Sequence, residues 1–136
     1  MSNILVLCTG NSCRSQIAEG YLKQLLGDGF SVYSAGVETH GLNPNAVKTM
    51  AADGVDISTQ TSNHIDEYID VQFDYILTVC DSAKERCPVF PSTAKVTHHS
   101  FPDPAGAQGT TEEIAASFAH TRDLIKDFLQ NWVRTF

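Results

Sequence analysis

The chain has 136 residues, 42% of them hydrophobic, which suffices for one domain with its own core. Sixteen acidic residues against nine basic ones leave a net charge of -7, which excludes the basic surface a nucleic-acid binder needs and requires any anion site to be built from local donors. Met-Ser-Asn before Ile4-Leu5-Val6-Leu7 lacks the basic region and apolar length of a signal peptide or membrane span, so a cytoplasmic, monomeric protein without a membrane partner is expected, its four cysteines reduced at rest.

Ile4 to Leu7 is a continuous apolar run ending at a glycine-containing loop, the pattern of a strand buried on both faces. Ile17, Ala18, Tyr21, Leu22, Leu25 and Leu26 recur at helical spacing until Gly27 and Gly29. Ser31 to Ala35 reads as a second strand, and Asn43-Pro44 opens a helix through Val47, Met50 and Ala51 that ends at Gly54. Thr61 to Tyr68 is expected to be a short polar helix, and Phe73 to Val79 a strand delivering Cys80 at its end. Ser82 and Glu85 have capping-box spacing for a two-turn helix stopped by Pro88. A strand near Lys95 to Thr97 leads into the loop from Ser100 to Gly106. The last helix follows a Thr110 to Glu113 capping box, with Ile114, Phe118, Ile125, Phe128 and Trp132 on one face.

Alternating strands and helices predict a single domain over residues 1–136, an α/β three-layer, doubly wound sheet of four or five mainly parallel strands with helices on both faces. Ligands in such sheets sit beyond the carboxyl ends of the strands, where Cys8, Cys80 and Asp103 all fall.

Cys8-Thr9-Gly10-Asn11-Ser12-Cys13-Arg14 places Cys-x5-Arg between a strand and a helix, with Gly10 expected to permit the bend. Loop amides at a helix N-terminus can converge on a tetrahedral oxyanion, which the helix dipole favours and which Arg14 can grip with a planar fork. The same field stabilises a thiolate at Cys8, and the Ser15 hydroxyl is placed to hydrogen-bond that sulfur. Cys80 and Cys87 lie about two helical turns apart, a rise of about 10.5 Å, too far for a disulfide unless the helix unwinds. Cys8 and Cys80 would be within disulfide reach if their strands were neighbours. Two buried small hydrophobes and a thiol relay are both open readings of Cys80 and Cys87. Asp103, between Pro102 and Pro104, is either a turn former or a rigidly held general acid. His40, His64, His98, His99 and His120 lack zinc-ligand spacing, as do the cysteines, so no metal is expected.

Several blocks together resemble the arsenate reductases built on the low-molecular-weight protein tyrosine phosphatase fold, typified by thioredoxin-coupled enzymes. They are Cys8 to Gln16 with Ala18-Glu19-Gly20, Tyr33-Ser34-Ala35-Gly36 with Glu38-Thr39-His40-Gly41, Cys80 with Cys87-Pro88, and Asp103-Pro104-Ala105-Gly106. The resemblance implies arsenic detoxification through a triple-cysteine relay with no bound cofactor. Cys8 attacks arsenate, for which phosphate or sulfate are mimics, held by Thr9 to Ser15, while Asp103 protonates the departing hydroxyl. Cys80 then attacks Cys8, and Cys87 carries the disulfide outward to thioredoxin or a glutathione/glutaredoxin system. Cys13 matches a cysteine not required for the relay. Some family members place potassium at positions that here read Asn11, Glu19, Ser34 and Asn63; neutral Asn63 replaces an acidic ligand, so no firm potassium site is expected. The alternative is a phosphatase hydrolysing a phosphocysteine intermediate, but Ala105-Gly106-Ala107 lacks the aromatics of a phosphotyrosine cleft.

Overall fold

The computed structural model describes residues 2–80, 90 and 93–136. Four parallel strands, β1 (Ser2–Cys8), β2 (Phe30–Gly36), β3 (Tyr75–Thr78) and β4 (Lys95–His98), form one sheet in the order β2-β1-β3-β4. Helices α1 (Arg14–Leu26), α2 (Pro44–Ala52) and α3 (Thr111–Trp132) complete the main elements. The helix expected after Cys80, with Cys87, lies outside the described residues.

The run Ile4-Leu5-Val6-Leu7 is fully buried because β1 is a central strand whose side chains alternate between two cores. Ile4, Val6 and Cys8 join Ile17, Tyr21, Leu22, Phe118, Ile125 and Leu129 under α1 and α3. Leu5 and Leu7 join Ala35, Phe73, Ile76 and Phe90 on the opposite face. Each of these fully buried aliphatic side chains contributes about 1.5 to 3 kcal/mol relative to exposure.

Local signals match where the backbone is left to itself. Asn43 caps α2 by accepting from Asn45 N at 2.8 Å, and Thr110 with Glu113 closes a capping box on α3. The buried stripe of α3 runs Phe118, Thr121, Ile125, Leu129 and Trp132, while Ile114 and Phe128 are half-buried at its margin. Two expectations shift. The helix expected over 61–68 shrinks to a 3-10 turn at Ile65–Tyr68, because Gly36 pairs with His64 as an isolated parallel bridge and donates to Asn63 O, which keeps the preceding residues extended. The strand expected over 73–79 pairs only at Tyr75–Thr78, although Asp74 N and Val79 N still bond to Asn3 O and Leu7 O.

From β1 the chain moves to β2 on one side and then crosses back to β3 on the other. The carboxyl end of β1 is therefore a topological switch point, where an open α/β sheet leaves a crevice. The loop from Cys8 to Arg14 occupies it.

Candidate active site

The loop is shaped from outside. Thr9 O accepts from Glu38 N and Gly10 O from His40 N, both at 3.0 Å, and Ser12 O accepts from Asn43 N at 3.1 Å. Asn11 O accepts from Gln16 Nε2 at 3.0 Å, and Cys13 O from Ile17 N at 2.9 Å. In a planar trans peptide the N–H points opposite to the carbonyl. Engaging the carbonyls of residues 9 to 13 on the outside thus turns the amides of residues 10 to 14 inward, as a nest for an anion. Cys13 stands at the cap position of α1 with no side-chain cap bond, and the first turn holds no acidic residue. The positive end of the helix dipole is left for a ligand.

Asn11, not Gly10, makes the bend. Its φ of 49° is the single positive value outside glycine among the described residues, and Gly10 has no positive φ. Asn tolerates this left-handed region because its short side chain bonds locally. Here Nδ2 donates to Ser15 Oγ at 2.8 Å and Ser34 Oγ at 2.9 Å, and Oδ1 accepts from Asn63 N at 2.7 Å. Gly10 is small for another reason: a Cβ there would lie 2.4 Å from His40 Nδ1.

A cavity of about 110 Å³ is lined by Cys8, Thr9, Gly10, Asn11, Ser12, Cys13, Arg14, His40, Asp103 and Ala105. It gathers the expected nucleophile, cradle, arginine and acid from two distant parts of the chain. Arg14 is 3% exposed, donates from Nη1 to Phe101 O at 3.4 Å, and places Nη2 3.6 Å from Asp103 Oδ2. Asp103 accepts from Ala105 N at 3.0 Å, which fixes the carboxylate at the mouth beside the buried guanidinium. Ser15 does not line the cavity; fully buried, it accepts from Asn11 and braces the loop from behind. Burial, reinforced by the charges of Asp103 and Cys8, pushes the Cys13 thiol up to about 11 against the lowering effects of Ser12 and Arg14. Cys13 is therefore held protonated at neutral pH, unsuited to nucleophilic attack.

Cys80 follows β3, which neighbours β1, so the ends of the two strands that carry Cys8 and Cys80 are adjacent. Cys80 is disulfide-bonded, whereas Cys8 and Cys13 form no disulfide. His40 was not among the candidate residues read from sequence. Its only sequence signal is its place in the block Glu38-Thr39-His40-Gly41, because nothing in local spacing brings residue 40 to residue 10.

The four positions associated with potassium in some relatives do meet. Yet Asn11 turns a nitrogen toward Ser34, its oxygen is held by Asn63 N, and Ser34 donates to Glu19 Oε1 at 2.5 Å. Lys23, 2.5 Å from Glu19 Oε2, already supplies a positive charge. These groups do not fit a potassium ion as arranged, since a cation requires oxygen ligands where an amide donor stands. Among the described residues no group of three or more His, Cys, Asp or Glu is arranged to hold a metal, and no helix is long and apolar enough to cross a membrane.

Comparison with known proteins places this geometry. An arsenate reductase of Bacillus subtilis (strain 168) is 54% identical over 132 residues, covering 97% of this chain and 95% of that one. An arsenate reductase of Staphylococcus aureus (strain N315) is 47% identical over 123 residues, covering 90% and 89%. The solved structure of an arsenate reductase in the phosphate binding state matches with a TM-score of 0.81 at 28% identity, covering 99% of this chain and 98% of that one. The low molecular weight protein tyrosine phosphatase from T. tengcongensis shares the fold, with a TM-score of 0.79 at 22% identity and complete coverage of both chains. The model of the low molecular weight phosphotyrosine protein phosphatase family matches residues 3–136, and the chain belongs to that family.

Proposed function

We propose that this chain reduces arsenate to arsenite, with Cys8, Cys80 and Cys87 as successive thiols and thioredoxin or a glutathione/glutaredoxin system as the final reductant. The observation that carries the reading is an oxyanion-sized cavity lined by Cys8, with a further cysteine, Cys80, just beyond the end of the adjoining strand. The arsenate reductase relatives from two genera support the same substrate.

The amides of residues 10 to 14 and the Arg14 guanidinium bind the arsenate oxygens and hold its arsenic in line with Cys8 Sγ. The Cys8 thiolate forms an S–As bond while one hydroxyl leaves as water with a proton from Asp103. Cys80, as a thiolate, next attacks Cys8 Sγ. The S–S bond forms, the S–As bond breaks, and its electron pair reduces As(V) to As(III), released as arsenite. Cys87 attacks Cys80 Sγ, returning Cys8 to the thiol form, and an external dithiol reduces the remaining disulfide.

The family also contains phosphatases, but about 110 Å³ is below the roughly 300 to 1,000 Å³ of pockets that enclose drug-sized ligands. Ala105 in the cavity wall offers no aromatic face on which an aryl ring could stack. Slow hydrolysis of small phosphate esters is compatible with the same cradle. The decisive experiment is single-turnover reaction of fully reduced protein with arsenate, followed by disulfide mapping. Cys87→Ser is expected to release one arsenite and stop at a Cys8 to Cys80 disulfide, and Cys80→Ser to stall before release. Absence of any arsenate-dependent disulfide, together with sustained phosphotyrosine turnover, would reassign the protein as a phosphatase.

A further inference from the structure

His40 approaches the loop through two contacts of different kinds. Its backbone N–H donates to Gly10 O at 3.0 Å, and its ring sits so close to Gly10 that an added Cβ would meet Nδ1 at 2.4 Å, Cγ at 2.9 Å and Cε1 at 2.9 Å. On the far side of the ring Nε2 lies 3.4 Å from Glu38 Oε2, both side chains about half exposed, and the Glu38 backbone N–H donates to Thr9 O. The 38–40 segment therefore grips two successive carbonyls of the loop and places the His40 ring in the space beside the Gly10 Cα. Gly10 has no positive φ, so φ does not demand a glycine there. The space for a Cβ is taken by the ring.

We propose that His40 is a positioning residue for the anion cradle: its ring, lying against Gly10, holds the Gly10–Asn11 peptide with its amide turned toward the bound oxyanion. This rests on the oxyanion reading of the cavity and is independent of whether the anion is then reduced. Without the ring, the peptide gains freedom that must be lost again on binding, which weakens affinity without touching the attacking sulfur. A glycine at position 10 and a ring at position 40 are thus one device.

The test measures binding of inorganic phosphate by calorimetry, with arsenate KM and kcat alongside, for the wild type, His40→Ala, His40→Phe, Gly10→Ala and the Gly10→Ala/His40→Ala double variant. His40→Ala is expected to weaken phosphate binding and raise arsenate KM by about tenfold, with kcat within about threefold, because ground-state and transition-state binding suffer alike. His40→Phe, which keeps a flat ring, recovers most of the affinity. Gly10→Ala is expected to lose about a hundredfold or more, and the double variant to regain at least about tenfold of that, the non-additivity that a direct contact produces. Wild-type affinity in His40→Ala, equal weakness of His40→Phe and His40→Ala, or a double variant as weak as Gly10→Ala would each overturn the proposal. Wild-type protein that bound no phosphate would overturn the oxyanion reading itself, whereas loss of arsenate reduction with these phosphate affinities intact would leave the positioning role standing.

Discussion

Replacing Asn11 isolates the cost of the one left-handed, non-glycine turn on which the cradle depends. Its side chain is fully buried and makes three hydrogen bonds, to Ser15 Oγ, Ser34 Oγ and Asn63 N. At about 1 kcal/mol net for each hydrogen bond, removal of the amide in Asn11→Ala costs about 3 kcal/mol. Alanine at a φ of 49° adds about 1 to 2 kcal/mol of left-handed strain, which Asn11→Gly avoids. The expected losses are therefore about 4 to 5 kcal/mol for Asn11→Ala and about 1 to 2 kcal/mol less for Asn11→Gly, against a typical total of about 5 to 15 kcal/mol. Equilibrium urea denaturation of the reduced proteins measures both. A loss below about 1 kcal/mol for Asn11→Ala would refute the assigned hydrogen bonds, and an Asn11→Gly protein less stable than Asn11→Ala would refute the backbone strain.

Asp103→Asn keeps an acceptor for Ala105 N but removes the transferable proton, so the first chemical step should slow by about a hundredfold to ten-thousandfold in single-turnover kinetics while phosphate still binds. Cys13→Ala should retain arsenate turnover, and in the wild type at pH 8 alkylation mapped by mass spectrometry should spare Cys13, whose thiol is pushed up to about 11 by burial. Lys126, followed by Tyr21, holds the Asp53 carboxyl below its ordinary 3.8 through hydrogen bonds of 2.8 and 2.6 Å. Its stabilisation is present above pH 3.8 and lost as pH falls through the lowered folded value, so Asp53→Asn should flatten the acid limb of the urea midpoint plotted against pH. An unchanged acid limb would mean that Asp53 is not linked to folding.

Much of the site was legible because its central part is contiguous. A buried strand, a seven-residue loop and a helix follow one another from Ile4 to Leu26, so Cys8, the amide cradle and Arg14 could be read together from local spacing. The capping residues Asn43 and Thr110 were legible for the same reason, since a cap bonds within three residues of itself. The bend was assigned to Gly10 because composition shows which residues permit a turn. It does not show which of them a neighbouring segment has already occupied. His40 fills the space beside Gly10, and the positive φ falls on Asn11. Ser15, as an acceptor from Asn11, keeps its hydroxyl proton to donate.

The sequence by itself determined the chemistry available: a thiol and a guanidinium separated by a strand-to-helix turn, an α/β chain with parallel strands, and further cysteines and an aspartate placed after later strands. Only the tertiary structure decided which of these groups meet. The order β2-β1-β3-β4 makes the strands that precede Cys80 and contain Cys8 neighbours, an outcome no local pattern encodes because strand adjacency is set by how the whole sheet closes over its two cores. It likewise brought Asp103 to Arg14 and His40 to Gly10, contacts across 89 and 30 residues of chain. Long-range packing, which depends on the loops fitting together as solids, completed a candidate site whose central loop was already written in seven consecutive residues.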